Sequence, residues 1–110
     1  MNIGFAIKSI RTKLSLAQYE LAERCHISQT TLSQIENGRK RPSPKTLASI
    51  CKVLDVPPAI IYIIAMEKED VPESKRAVYN LVFPSIKGLA LQMLDTEHHG
   101  LAENGREKGG

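Results

Sequence analysis

Gln29, Thr30, Thr31, Ser33 and Gln34 form a run of amide and hydroxyl side chains without a single cation. At helical spacing Gln29 stands over Ser33 and Thr30 over Gln34, so the run shares one face. Such groups donate and accept hydrogen bonds while staying neutral, which is the chemistry needed to read the edges of base pairs. A glutamine matches the N6 and N7 of adenine together, and a threonine offers a methyl to thymine or a hydroxyl to an acceptor. Were this face to meet DNA, with no Arg or Lys on it the bidentate guanine contact would be missing, and a target with important A·T pairs would be expected. Asn37 and the cations Arg39, Lys40 and Arg41 follow directly.

Other chemistries find no support. There is no Gly-rich phosphate loop, no HExxH and no nucleophile elbow. The Asp, Glu and Ser residues form no acid–base or nucleophilic set, so no catalytic residue, no enzyme and no cofactor are expected. Cys25 and Cys51 lie in apolar stretches outside any CxxC and read as small core residues of a reduced cytosolic protein. No His spacing around them suggests zinc, and His98-His99 is an isolated pair in a polar tail, so no metal is expected.

The elements that position these residues are helical. Ile3, Ile7, Ile10 and Leu14 recur at helical spacing and predict a first helix over 2–13. Ser15 with Gln18 fits a capping box opening a second helix over 16–24, whose stripe is Ala17, Leu21, Ala22 and Cys25. A turn falls at His26. Ser28 caps a third helix over 28–37, with Leu32 and Ile35 inward, and Asn37-Gly38 ends it. After the basic loop, Ser43 caps a fourth helix with Pro44 in its first turn. Leu47, Ile50, Cys51 and Leu54 are its buried face. Residues 59–65, with four isoleucines and Tyr62, make a short apolar fifth helix.

Beyond it the character changes. Residues 67–76 are charged and contain Pro72, reading as a linker or hinge. Residues 77–95 are helical again, with Pro84 expected to kink or split them. Residues 96–110 are polar and Gly-rich, and a disordered tail is expected. The charge divides the same way. Residues 1–65 carry nine basic against four acidic side chains, and residues 66–110 six against eight. Only the first part has the balance of a polyanion binder. Hydrophobic residues are 42% and aromatics 5% of the 110, with no Trp, so Leu, Ile, Val and Ala must build the core. No signal peptide is visible, and the longest apolar run, Val56 to Met66, is too short to span a bilayer.

Two short helices with a tight turn between them are the helix-turn-helix pattern, in which the second helix enters the major groove. Residues 3–65 resemble the Cro/phage-repressor (XRE-like) family. The residues that carry the likeness are Leu16-Ala17-Gln18-Tyr19-Glu20-Leu21-Ala22, Ser28 through Gly38 with its Ile-Glu-Asn-Gly end, Arg41-Pro42-Ser43, and Leu47. The resemblance implies an all-α fold, a five-helix lambda-repressor-like DNA-binding bundle over 1–66, here with a C-terminal helical extension. It implies that Gln18 bonds a phosphate and braces the reading helix, that Asn37, Arg39, Lys40 and Arg41 meet phosphates beside it, and that Gln29, Thr30 and Thr31 touch bases. It also implies an ion pair between Arg11 and Glu36 that locks the reading helix to the first. The family usually has Gly at the turn where this chain has His26.

The expected function is sequence-specific binding of a double-stranded DNA operator by a dimeric repressor or autoregulator, located in the cytoplasm on the nucleoid. Ile60, Ile61, Tyr62 and Ile64 are too apolar for one-sided burial in so small a domain. Either the helices of 77–94 cover them or a second subunit does; with Val78, Leu81, Val82 and Leu89 they are expected to build a two-fold homodimer, which would space two reading helices about 34 Å apart. Two alternatives share the fold. One is an antitoxin or restriction–modification controller meeting a partner protein such as a toxin. The other is an interaction module that has lost DNA binding.

Overall fold

The computed structural model describes residues 1–104, with side chains as far as Leu94. The described residues are all α, in the order α1 (Ile3–Lys13), α2 (Gln18–Arg24), α3 (Gln29–Glu36), α4 (Pro44–Leu54), α5 (Pro58–Ala65) and α6 (Arg76–Asn104). Two single 3-10 turns, Lys68–Asp70 and Glu73–Lys75, fill the charged segment before α6. No helix among the described residues is long and apolar enough by itself to cross a membrane.

Short polar side chains start α1, α3 and α4. Asn2 Oδ1 accepts from the Phe5 N–H at 3.0 Å, Ser28 Oγ from Thr31 at 3.0 Å and Ser43 Oγ from Thr46 at 3.1 Å. The opening of α2 departs from the expectation. Ser15 is not its cap. The helix begins two residues after the expected start, at Gln18, and Glu20 Oε1 accepts from the Ala17 N–H at 2.9 Å. Ser15 instead closes α1. It takes φ 58°, and the N–H of Leu16 reaches back to the Arg11 carbonyl at 3.0 Å. This six-to-one bond recurs after α2, α3 and α4, where His26, Gly38 and Asp55 hold the left-handed position. Only one of the four is glycine.

The core is aliphatic. Ile7, Ile10, Leu21, Leu32, Ile35, Ile50, Ile61 and Ile64 are fully buried where α1 to α5 converge. Gly4 brings α1 close to α3, and a Cβ there would collide with the Ile35 carbonyl oxygen. The Asn2 N–H donates to the Ala65 carbonyl at 2.8 Å and ties the start of α1 to the end of α5.

Helix α6 folds back on this bundle. Ala90 and Leu94 join the core, and Phe83 is buried with Tyr79 stacked on it at 4.6 Å between ring centroids. The Tyr79 hydroxyl donates to the Met66 carbonyl at 3.3 Å, and Lys87 Nζ lies 5.6 Å from the Phe5 ring centroid. Three readings of the sequence are corrected here. Ile60, Ile61 and Ile64 do not wait for a second subunit, because they are buried within this chain by α1, α4 and α6. Of the kink or split expected at Pro84, the split is absent, since one helix runs through it. Proline removes the bond to the Asn80 carbonyl, but Asn80 and Pro84 are both exposed, so water can serve that oxygen. Finally, backbone helix continues through 96–104, where a tail was expected; residues 105–110 lie outside the described part.

Candidate nucleic-acid interface

Helix α3 buries Leu32, Ile35 and Glu36 and turns Gln29, Thr30 and Gln34 to solvent. Ser33 is half-buried. Thr31 is half-buried like Ser33, and its Oγ1 accepts from the Ser28 hydroxyl at 2.8 Å, so it serves the cap of the helix. Gln18, Gln29, Thr30, Ser33, Gln34, Asn37 and Arg39 line one shallow depression. The amides of this face and the first cation after it thus share a surface. Lys40 and Arg41 are exposed and line an adjoining depression with the start of α1.

The face is held from behind. Arg11 and Glu36 are 8% and 6% exposed. Arg11 Nε donates to Glu36 Oε2 at 2.7 Å, and Nη2 donates to Oε1 at 3.1 Å, a two-pronged pair. The remaining prong, Nη1, donates to the Leu16 carbonyl at 2.8 Å and so reaches the turn between α1 and α2. One guanidinium therefore ties α1, the entry to α2 and the end of α3 together.

Gln18 extends this network outward. Its Nε2 donates to Glu36 Oε1 at 3.0 Å, and its Oε1 accepts from Gln29 Nε2 at 3.2 Å. Further along, Asn37 Nδ2 donates to Ser33 Oγ at 3.5 Å, a long bond. The Gln18–Gln29 bond was not legible in the sequence, since eleven positions separate the two and nothing local couples them. The reach of Arg11 to Leu16 was equally hidden. The Glu20 cap did have a signal, a glutamate three residues after Ala17.

No group of three or more His, Cys, Asp or Glu among the described residues could hold a metal ion. Cys25 and Cys51 are buried and unpaired with each other, and burial raises both thiols above their ordinary value.

The helix-turn-helix family model HTH_3 matches residues 7–61, which is half of the chain, and the chain belongs to this family. Among curated relatives it is similar to an immunity repressor protein of Bacillus phage phi105, 32% identical over 80 residues. That match covers 73% of this chain and 53% of the repressor. It is also similar to the transcriptional regulator ClgR of Mycobacterium tuberculosis (strain ATCC 25618 / H37Rv), 32% identical over 66 residues, covering 60% of this chain and 59% of the regulator. The chain thus spans a little over half the length of these two relatives. A crystal structure of the clp gene regulator ClgR from Corynebacterium glutamicum superposes with a TM-score of 0.56 at 27% identity. That superposition covers 88% of this chain and 90% of the other, so the likeness runs well past residue 61.

Proposed function

We propose that this protein is a sequence-specific double-stranded DNA-binding transcriptional regulator, a repressor or autoregulator, that reads its operator with α3. The observation that carries the reading is the outward face of Gln29, Thr30 and Gln34, braced from below by Gln18 and Glu36 and flanked by Asn37, Arg39, Lys40 and Arg41. Neutral donors and acceptors at the centre supply base readout, and cations at the edge supply phosphate affinity and register. Thr31 can offer its methyl, and its hydroxyl, which only accepts from Ser28, keeps an O–H to donate. Similarity to a phage immunity repressor supports repression as the mode of action. A DNA target implies work in the cytoplasm, on the nucleoid.

The regulator acts as a homodimer. The outer flank of α6 exposes Val78, Leu81, Val82, Ile86, Leu89 and Met93, while its inner side is already spent on the bundle. A helix apolar on both sides requires cover on both. Tyr62, 40% exposed, remains available to the same interface, whereas Ile60, Ile61 and Ile64 do not. Pairing two α6 helices would present two reading helices to half-sites one helical turn apart, about 34 Å.

Selection of bound sequences from a random duplex pool tests the DNA reading. A defined half-site should emerge, and Gln29→Ala with Gln34→Ala should abolish its enrichment. Recovery of unenriched DNA by the intact protein would refute the proposal. Sedimentation tests the dimer: Leu81→Glu with Leu89→Glu should give monomers, and a monomeric wild-type protein at micromolar concentration would refute it.

A further inference from the structure

We infer that Arg76 and Tyr79 are positioning residues that set the spacing between the two half-sites of the operator, by holding the first part of α6 against bending at Pro84. The inference rests on the DNA-reading homodimer proposed above and adds to it what fixes the distance between its reading helices.

Pro84 is the weak point of α6. It has no N–H, so the helix lacks the bond to the Asn80 carbonyl, and the parts before and after it are joined less stiffly than in an unbroken helix. The two parts are anchored separately. After Pro84, Ala90 and Leu94 enter the core. Before it, Phe83 is buried with Tyr79 stacked on it, and the rest of the hold comes from the segment that leads into the helix. The Tyr79 hydroxyl donates to the Met66 carbonyl at 3.3 Å. The one Nε–H of Arg76 is shared between the Lys68 and Val71 carbonyls, at 3.1 and 3.2 Å. Asp70 Oδ2 accepts from the Glu67 N–H at 2.8 Å and closes the turn that presents those carbonyls. The charged segment thus straps the first part of α6 to the end of α5.

The outer flank of α6 divides at the same point. Val78, Leu81 and Val82 stand before Pro84, and Ile86, Leu89 and Met93 after it. A bend there would turn one half of the dimer interface against the other and change the angle at which two bundles meet. The lever is long enough to matter. Arg76 stands eight residues before Pro84, about 12 Å along the axis. A bend of about 20°, the kind a proline allows, would carry that end about 4 Å, more than the ~3.4 Å rise of one base pair. A dimer that reads two half-sites at one spacing therefore needs the first part of α6 fixed, and Arg76 and Tyr79 supply the bonds that fix it.

The test is selection from a random duplex pool long enough to hold two half-sites. It uses the full-length wild type, Arg76→Met with Tyr79→Phe, and that pair combined with Pro84→Ala. Methionine keeps an apolar stem at 76 and phenylalanine keeps the ring stacked on Phe83, so only the bonds to the strap are lost. The wild type should favour one spacing over its neighbours by about tenfold or more. The double variant should recover the same half-site while that lead falls close to one. Adding Pro84→Ala should restore the lead, because alanine returns the bond to the Asn80 carbonyl. One sharp spacing in the double variant overturns the inference and leaves DNA reading standing. So does a spacing that stays loose once Pro84 is replaced. A folded double variant that selects only lone half-sites also overturns it, since the strap would then hold the dimer together rather than space it. A wild type that selects lone half-sites removes the dimer and the inference with it, and one that selects no sequence removes DNA reading as well. If the double variant does not fold, Tyr79→Phe alone should lower the lead part of the way, and an unchanged lead would overturn the inference.

Discussion

Arg11 and Glu36, twenty-five residues apart, meet in a two-pronged pair whose closest contact is 2.7 Å, in a site nearly closed to water. Such a pair contributes little net stability, because removing both charges from water offsets their attraction. What it supplies is placement: the end of α3 is held against α1 and the entry to α2.

The first prediction separates stability from placement. Glu36→Leu alone leaves a buried guanidinium uncompensated and should destabilise the fold by about 3–5 kcal/mol in urea unfolding. Arg11→Met with Glu36→Leu removes both charges and should recover most of that loss. A double variant no more stable than the single one would show that the pair itself, rather than the orphaned charge, carries the energy.

His26 holds φ 58° in the turn between α2 and α3. A left-handed conformation strains any residue with a Cβ and costs glycine little. His26→Gly should therefore raise stability by about 0.5–1 kcal/mol, read as an upward shift of the thermal midpoint. An unchanged or lowered midpoint would mean that the imidazole makes a compensating contact.

Gly4 admits no side chain, because its missing Cβ position is occupied by the Ile35 carbonyl. Gly4→Ala should push α1 from α3 and destabilise by about 1–3 kcal/mol, the range of an overpacked core. Chemical unfolding measures it, and a neutral effect would mean that the two helices part without strain.

The Met1 ammonium lies 2.9 Å from both Glu67 and Asp70, pinning the first 3-10 turn to the start of α1. Hydrogen bonding to Asp70 and then Glu67 raises the amino group above its ordinary 8.0. The bond from that amino group, then the Glu67 backbone, lowers Asp70 below 3.8. A raised amine stabilises fully below pH 8.0 and loses this contribution as pH climbs through its folded value. A lowered carboxylate stabilises above pH 3.8 and loses its contribution as pH falls through its folded value. The tie should thus be strongest between these limits. NMR titration of Asp70 should give a midpoint below 3.8, and an ordinary midpoint would show the contact to be open in solution.

The order of helices was legible because its signals are local. Ser28 capping Thr31, Ser43 capping Thr46 and the stop at Asn37-Gly38 all act within four residues, the reach of one helical turn. Ser15 is ambiguous in the sequence for a related reason. A serine after one helix and before another satisfies either role, and only the φ of the folded chain separates them. Gln18 was implied as a brace of the reading helix, but not which partners it would hold.

The sequence alone determined five helices over its first sixty-six residues, a polar face on the third and cations behind it, since periodicity and capping need no distant contact. Tertiary structure decided the rest. It buried Ile60, Ile61 and Ile64 inside one chain, and it oriented Gln18 and Gln29 from a carboxylate at position 36. The physical reason is the same in both cases. Burial and hydrogen-bond direction depend on what stands opposite a side chain, and that is known only when remote segments are packed together.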